Sequence, residues 1–142
     1  MTKIAGIVVE YNPFHNGHLY HLNQTKTITG CDLLIAVMSG NFVQRGEPAL
    51  IDKWTRTKVA LNAGADLVIE LPFAYAVQSA SQFAKAAVTL LNLAGCTDLV
   101  FGSETNDLET LQIMADCPIN VDAIKENLRQ GYGYPKAVGM VQ

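Results

Sequence analysis

The chain has 142 residues, 49% apolar and 16% charged, with a formal net charge of −3. This composition is that of a folded globular domain and excludes general disorder. The acidic balance also argues against a domain that grips a polyanion unaided, so any nucleic-acid partner would need another domain or a local basic patch.

Lys3 to Glu10 is a short apolar run rich in β-branched residues, which predicts a strand buried on both faces of a parallel sheet. Tyr11-Asn12-Pro13 stops it, and a helix is predicted from Asn16 or Gly17 to about Thr29, with Gly30 as its stop. Asp32 to Met38 is a second buried strand. Ser39-Gly40-Asn41 opens a loop that runs past Arg45-Gly46-Glu47-Pro48 to Asp52, the N-cap of a helix from Lys53 to Ala63. Asp66 to Leu71 is a third strand, stopped by Pro72. A long helix covers about Ser79 to Leu93, and Asp98 to Phe101 is a fourth strand that ends at Gly102-Ser103-Glu104. Further helices are expected over Asp107 to Ala115 and Val121 to Arg129. Gly131-Tyr132-Gly133-Tyr134-Pro135 reads as a loop. Strands alternating with helices imply an α/β fold of Rossmann type, a parallel sheet with helices on both faces and right-handed crossovers. The expected domain occupies residues 1–130. Residues 131–142 would be a loop or the start of a further region, because the text reaches Gln142 without an obvious closing element.

No apolar run is long and clean enough to span a bilayer: Leu67 to Val77 is broken by Glu70 and Pro72. The N-terminal stretch breaks at Glu10, where a signal peptide would continue, which leads to the expectation of a cytoplasmic protein without a membrane partner. Cys31, Cys96 and Cys117 form no C-x-x-C pair and are expected to be ordinary thiols rather than zinc or redox ligands.

Ligands of open α/β sheets bind beyond the carboxyl ends of the strands. The polar segment after the first strand is the strongest candidate. His15 and His18, three residues apart at the first turn of a helix, place two imidazoles near one edge. Free backbone N–H groups and the positive helix end point the same way, and Gly17 lets a phosphate approach the backbone. The set would stabilise charge on phosphoryl oxygens as pyrophosphate leaves. A metal site is not expected, since Glu10 is the only nearby carboxylate in sequence. His21 reads as a helix-surface histidine, and Phe73, Tyr75 and Phe83 as core aromatics.

The stretch Val9-Glu10-Tyr11-Asn12-Pro13-Phe14-His15-Asn16-Gly17-His18 resembles the H-x-G-H motif of the nucleotidyltransferase superfamily, with Val9 and Asn12 where small-molecule members carry Gly and Asp. The longer motifs Met38 to Ala49, Asp52 to Arg56 and Glu70 to Ala80 are similar to those of the tRNA(Met) cytidine acetate ligase family. The resemblance runs from Met1 to about Ala137. It departs at Gly133 and Val138-Gly139, and the family continues well beyond this length.

The resemblance implies ATP-dependent activation of acetate to acetyl-adenylate, then acetylation of the wobble cytidine of elongator tRNA(Met). The partners would be acetate and that tRNA, whose binding would need a C-terminal region absent from this chain, with homo-oligomerisation as an option. It also implies an ATP-binding set of Ile7, Val8, Val9, Glu10, Tyr11, Asn12, Pro13, Phe14, His15, Asn16, Gly17, His18, Leu19, Tyr20 and Gly102. Ser39, Gly40, Asn41, Arg45, Lys53 and Arg56 are candidates for an acyl or phosphate pocket, the three cations reading equally as solvated surface residues. Glu70 and Glu104 could hold Mg2+ through phosphate oxygens. Two alternatives stay open: a stand-alone adenylyltransferase of a small metabolite, and a non-catalytic ATP-binding subunit.

Overall fold

The computed structural model describes residues 2–103, 107–116 and 120–141. Four strands, β1 (Ile4–Val9), β2 (Leu33–Ser39), β3 (Leu67–Leu71) and β4 (Asp98–Leu99), form one parallel sheet in the order β3-β2-β1-β4. This order makes β1 the point from which the chain winds outward in both directions, and such a switch point is where open α/β sheets bind ligands.

The buried strands sort their side chains by the two-residue period of a strand. Ala5, Ile7, Leu34, Ala36 and Met38 pack on one face with Leu22 of α1 (Asn16–Thr29) and Ala60 of α2 (Lys53–Asn62). Ile35 and Val37 pack on the other face with Ala87 and Leu91 of α4 (Ala80–Leu93) and Ala76 of the short helix α3 (Phe73–Ala76). The alternation of strands and helices and the two-sided α/β architecture are as expected from sequence.

Three details differ. Pro72 ends β3 but also starts α3, because its fixed φ of −56° suits a helix N-cap. β4 pairs over only two residues, Asp98 and Leu99, not as far as Phe101. Tyr134–Gly139 is a helix, α7, rather than a loop, with Pro135 in its first turn, where a missing N–H costs nothing.

The chain divides into two compact units, Met1–Gly102 and Ser103–Gln142. The second holds α5 (Leu108–Asp116), α6 (Val121–Arg129) and α7, so α5 and α6 do not group with the sheet. Within it, Ile124 and Ala137 are buried, and the Asn127 side chain donates to the Ala137 carbonyl at 3.3 Å. Among the described residues no helix is long and apolar enough to cross a membrane. Cys31 and Cys96 are free thiols, while Cys117 lies outside the described residues.

Candidate active site

The site begins where β1 runs out. Tyr11 takes a left-handed backbone conformation, φ 51°, which is rare for a bulky residue, and its ring is fully buried. Tyr11 packs edge-on against Phe14 (4.8 Å) and lies 4.9 Å from the His18 ring. This aromatic packing sets the entry angle of α1.

His15 is the N-cap of that helix. Its Nδ1 accepts the Gly17 N–H at 3.1 Å, and His18 Nδ1 accepts the His15 N–H at 3.3 Å. The two rings stack with centroids 3.7 Å apart. An Nδ1 that accepts cannot carry a proton, so each neutral ring holds its proton on Nε2. Burial, and then the neighbouring His15 and His21, hold His18 below the ordinary imidazole range, favouring the neutral donor form.

This arrangement revises one expectation. The Gly17 N–H is already satisfied by the His15 ring, and a Cβ at Gly17 would sit 3.0 Å from that ring. The glycine therefore makes room for the imidazole, and the donor each neutral ring has left is its Nε2–H.

The 41–50 loop closes over this turn through two side chains of the strand end. Glu10 Oε1 accepts the Gln44 N–H at 2.6 Å, and Asn12 Oδ1 accepts the Leu50 N–H at 2.7 Å. Turn and loop enclose a cleft of about 720 Å3, within the usual range of small-molecule sites. Val8, Val9, Glu10, Tyr11, Asn12 and Pro13 form its floor and one wall. His15, His18 and Arg45 also line it.

Other residues singled out from sequence lie elsewhere. Ile7 is buried beneath the floor, and Phe14 packs against the core. Asn16, Gly17, Leu19 and Tyr20 are exposed on α1 and do not line the cleft. Gly102 is exposed beyond β4, with open space where a side chain would project. Gly40 and Asn41 line a separate cavity of about 340 Å3. Ser39 and Lys53 line a smaller one of about 100 Å3.

Arg56 is not a surface cation. It is 1% exposed, and its guanidinium donates to the carbonyls of Glu10 (2.6 Å), Ser39 (3.1 Å) and Gly40, with Nε on the Ile51 carbonyl at 2.9 Å. It ties the carboxyl ends of β1 and β2 together. Lys53 is also occupied, its Nζ lying 2.9 and 2.7 Å from the two Glu70 carboxylate oxygens.

Phe73 and Tyr75, expected in the core, are 61% and 49% exposed, because α3 stands at the rim of the sheet; Phe83 of α4 is partly buried against the core and also lines the cleft. His21 lines the cleft rather than the outer surface, and its Nε2 is buried with no hydrogen-bond partner among the described residues. The repeat of the three-residue spacing, His15-His18-His21, was the signal that could have placed it there.

This geometry fits what comparison with known proteins finds. A tRNA(Met) cytidine acetate ligase of Geobacillus sp. (strain WCH70) is 56% identical over 140 residues, and one of Bacillus subtilis (strain 168) is 55% identical over 143. These matches cover 95% and 97% of this chain but 35% and 34% of the relatives, so the chain spans about a third of the length of the curated relatives it matches. A crystal structure of Thermotoga maritima TmcAL bound with alpha-thio ATP is 51% identical with a TM-score of 0.87, covering 96% of this chain and 34% of that one. Residues 2–141 match the family described as HIGH Nucleotidyl Transferase. With His15-Asn16-Gly17-His18 standing at the carboxyl end of β1, where a phosphate-binding turn belongs, the chain is a member of the HIGH nucleotidyltransferase family.

Proposed function

We propose that this chain carries the ATP-using step of a tRNA(Met) cytidine acetate ligase. The observation that carries the reading is the stacked pair His15 and His18, whose Nδ1 atoms are both spent on backbone N–H groups, leaving both Nε2–H donors for a ligand in the cleft. The names of the relatives, and the ATP analogue bound by the Thermotoga maritima protein, supply the substrates in this reading.

An acetate oxygen bonds to the α-phosphorus of ATP, the bond from that phosphorus to the bridging oxygen breaks, and pyrophosphate leaves with the electron pair. His15 and His18 donate to the phosphate oxygens where charge collects, and Arg45 adds a cation at the cleft wall. The floor from Val8 to Pro13 orients the nucleotide, and the open space at Gly102 leaves room for its nucleoside end. The acetyl group then passes to the exocyclic amine of the wobble cytidine: a C–N bond forms, AMP leaves and the amine gives up a proton. Engagement of the tRNA is assigned largely to sequence that the relatives have beyond this third of their length.

A magnesium role for Glu70 does not fit its surroundings. The Lys53 ammonium, bonded to both of its carboxylate oxygens, stands where a cation would sit, and Glu104 lies outside the described residues. No step is assigned to a metal.

The test is isotope exchange between pyrophosphate and ATP. Exchange that requires acetate is expected, and it should disappear in His18→Ala. Failure of exchange with this chain, and again after the remaining part of a relative is supplied, would sink the reading.

A further inference from the structure

We propose that the cavity beside the nucleotide cleft is the pocket for the amine-bearing pyrimidine base that receives the acyl group. This rests on the function proposed above and places its second substrate. The cavity has a volume of about 340 Å3 and is lined by Gly40, Asn41, Phe42, Glu70, Phe73 and Ala76, at the carboxyl ends of β2 and β3.

Three features select a base. The Phe42 and Phe73 rings meet edge to face with centroids 5.3 Å apart, yet remain 37% and 61% exposed. Enzymes that act on a base take it from its stack and hold it against such rings. Glu70 supplies the polar selection. Lys53 holds its carboxylate at 2.9 and 2.7 Å, which fixes its position, while a carboxylate has lone pairs left to accept an exocyclic amine. An acceptor there favours the cytosine N4 amine over the uracil O4 carbonyl, which is itself an acceptor. Gly40 makes room for that carboxylate, since a side chain at this position would collide with Glu70 Oε1.

The cavity also adjoins the site of activation. Consecutive loop residues face the two spaces, Phe42 lining this cavity and Val43 the nucleotide cleft. The Arg56 guanidinium binds the Glu10 carbonyl on the cleft side and the Gly40 carbonyl on the cavity side. An acceptor base and an activated acyl group would thus be held at neighbouring strand ends that Arg56 ties together.

The test uses this chain, isotope-labelled for NMR, with two probes: ATP, and a single-stranded RNA pentamer carrying one central cytidine. The cytidine pentamer is expected to shift the amide signals of Gly40, Asn41, Phe42 and Phe73, and ATP those of Asn12 and of Phe14 to His18. Replacing the cytidine by uridine should weaken pentamer binding about tenfold, and Glu70→Gln should shrink that preference. Phe73→Ala should weaken both pentamers by about tenfold and Phe73→Trp should restore them, which loss of fold would not do. If the pentamer leaves the Gly40 to Phe42 signals unmoved, or binds equally with cytidine and uridine, the base pocket is wrong even where ATP binds as expected. If ATP leaves Asn12 to His18 unmoved while the cytidine pentamer shifts the cavity, the pocket stands and the ATP reading fails.

Discussion

The guanidinium of Arg56 lies 2.6 Å from the carbonyl oxygen of Glu10, the residue that follows β1, and the same nitrogen reaches the Ser39 carbonyl at the end of β2. These carbonyls stand at the carboxyl ends of their strands, and buried acceptors without a donor are costly. Arg56→Lys is expected to destabilise the fold by about 3 kcal/mol, since an ammonium cannot reproduce a planar fork across several carbonyls. Urea unfolding measures this; a loss under about 1 kcal/mol would show that the carbonyls find other donors.

His15 has two separable roles. Its Nδ1 caps α1, and its ring lines the cleft, where the proposed reading gives the Nε2–H a phosphate to bind. His15→Ala should lose both: roughly 1 kcal/mol of stability from the cap, and about 1–3 kcal/mol of ATP binding. His15→Asn should restore the cap, because Asn is a favoured N-cap, without restoring ATP binding. Thermal unfolding and calorimetry separate the two, and an Asn variant that binds ATP like the parent would remove His15 from the phosphate site.

The histidines also fix a pH dependence. Unfolded, an imidazole takes up its proton near pH 6.5; folded, burial and then the neighbouring His15 and His21 make His18 wait for a lower pH. Burial acts in the same direction on His21. Between the two values the unfolded chain holds more protons, so stability rises with pH there. This contribution is fully present above about pH 6.5 and is lost as pH falls below it. The urea midpoint should be lower at about pH 5.5 than at about pH 7.5, and the double variant His18→Gln, His21→Gln should narrow the gap.

Gly6 tests the packing beneath the site. A Cβ there would come within 2.8 and 2.9 Å of the Leu91 methyl carbons and 3.1 Å of Cys96 Sγ. Gly6→Ala should therefore cost about 1–3 kcal/mol by forcing α4 away from β1. Unchanged stability would mean that the Leu91 side chain turns aside without loss.

Much of this molecule is legible along the chain. The strands show as short β-branched runs, and the helices as segments between a cap and a glycine, so the alternation and the turn after β1 follow from local pattern. What escaped was set by neighbours far apart in sequence. Lys53 and Arg56 look like a solvated pair of cations on a helix, but one is spent on Glu70 of β3 and the other on strand-end carbonyls. Only the juxtaposition of β1, β2 and β3 creates those acceptors. His21 escaped because the wall facing it comes partly from the 41–50 loop, whose anchor points are Glu10 and Asn12. Pro72 and Pro135 misled for a local reason: proline ends one element and opens another with equal ease, and sequence spacing read only the ending.

The Arg56 staple has a thermodynamic consequence. Its buried guanidinium holds the carbonyl of Glu10, which lines the cleft, and that of Gly40, which lines the neighbouring cavity, so a ligand that shifted the Glu10 side would alter the support of the Gly40 side. Linkage then requires reciprocity: whatever factor a nucleotide imposes on affinity in the cavity, the cavity's ligand imposes on the nucleotide. One buried side chain would let each occupant report the presence of the other.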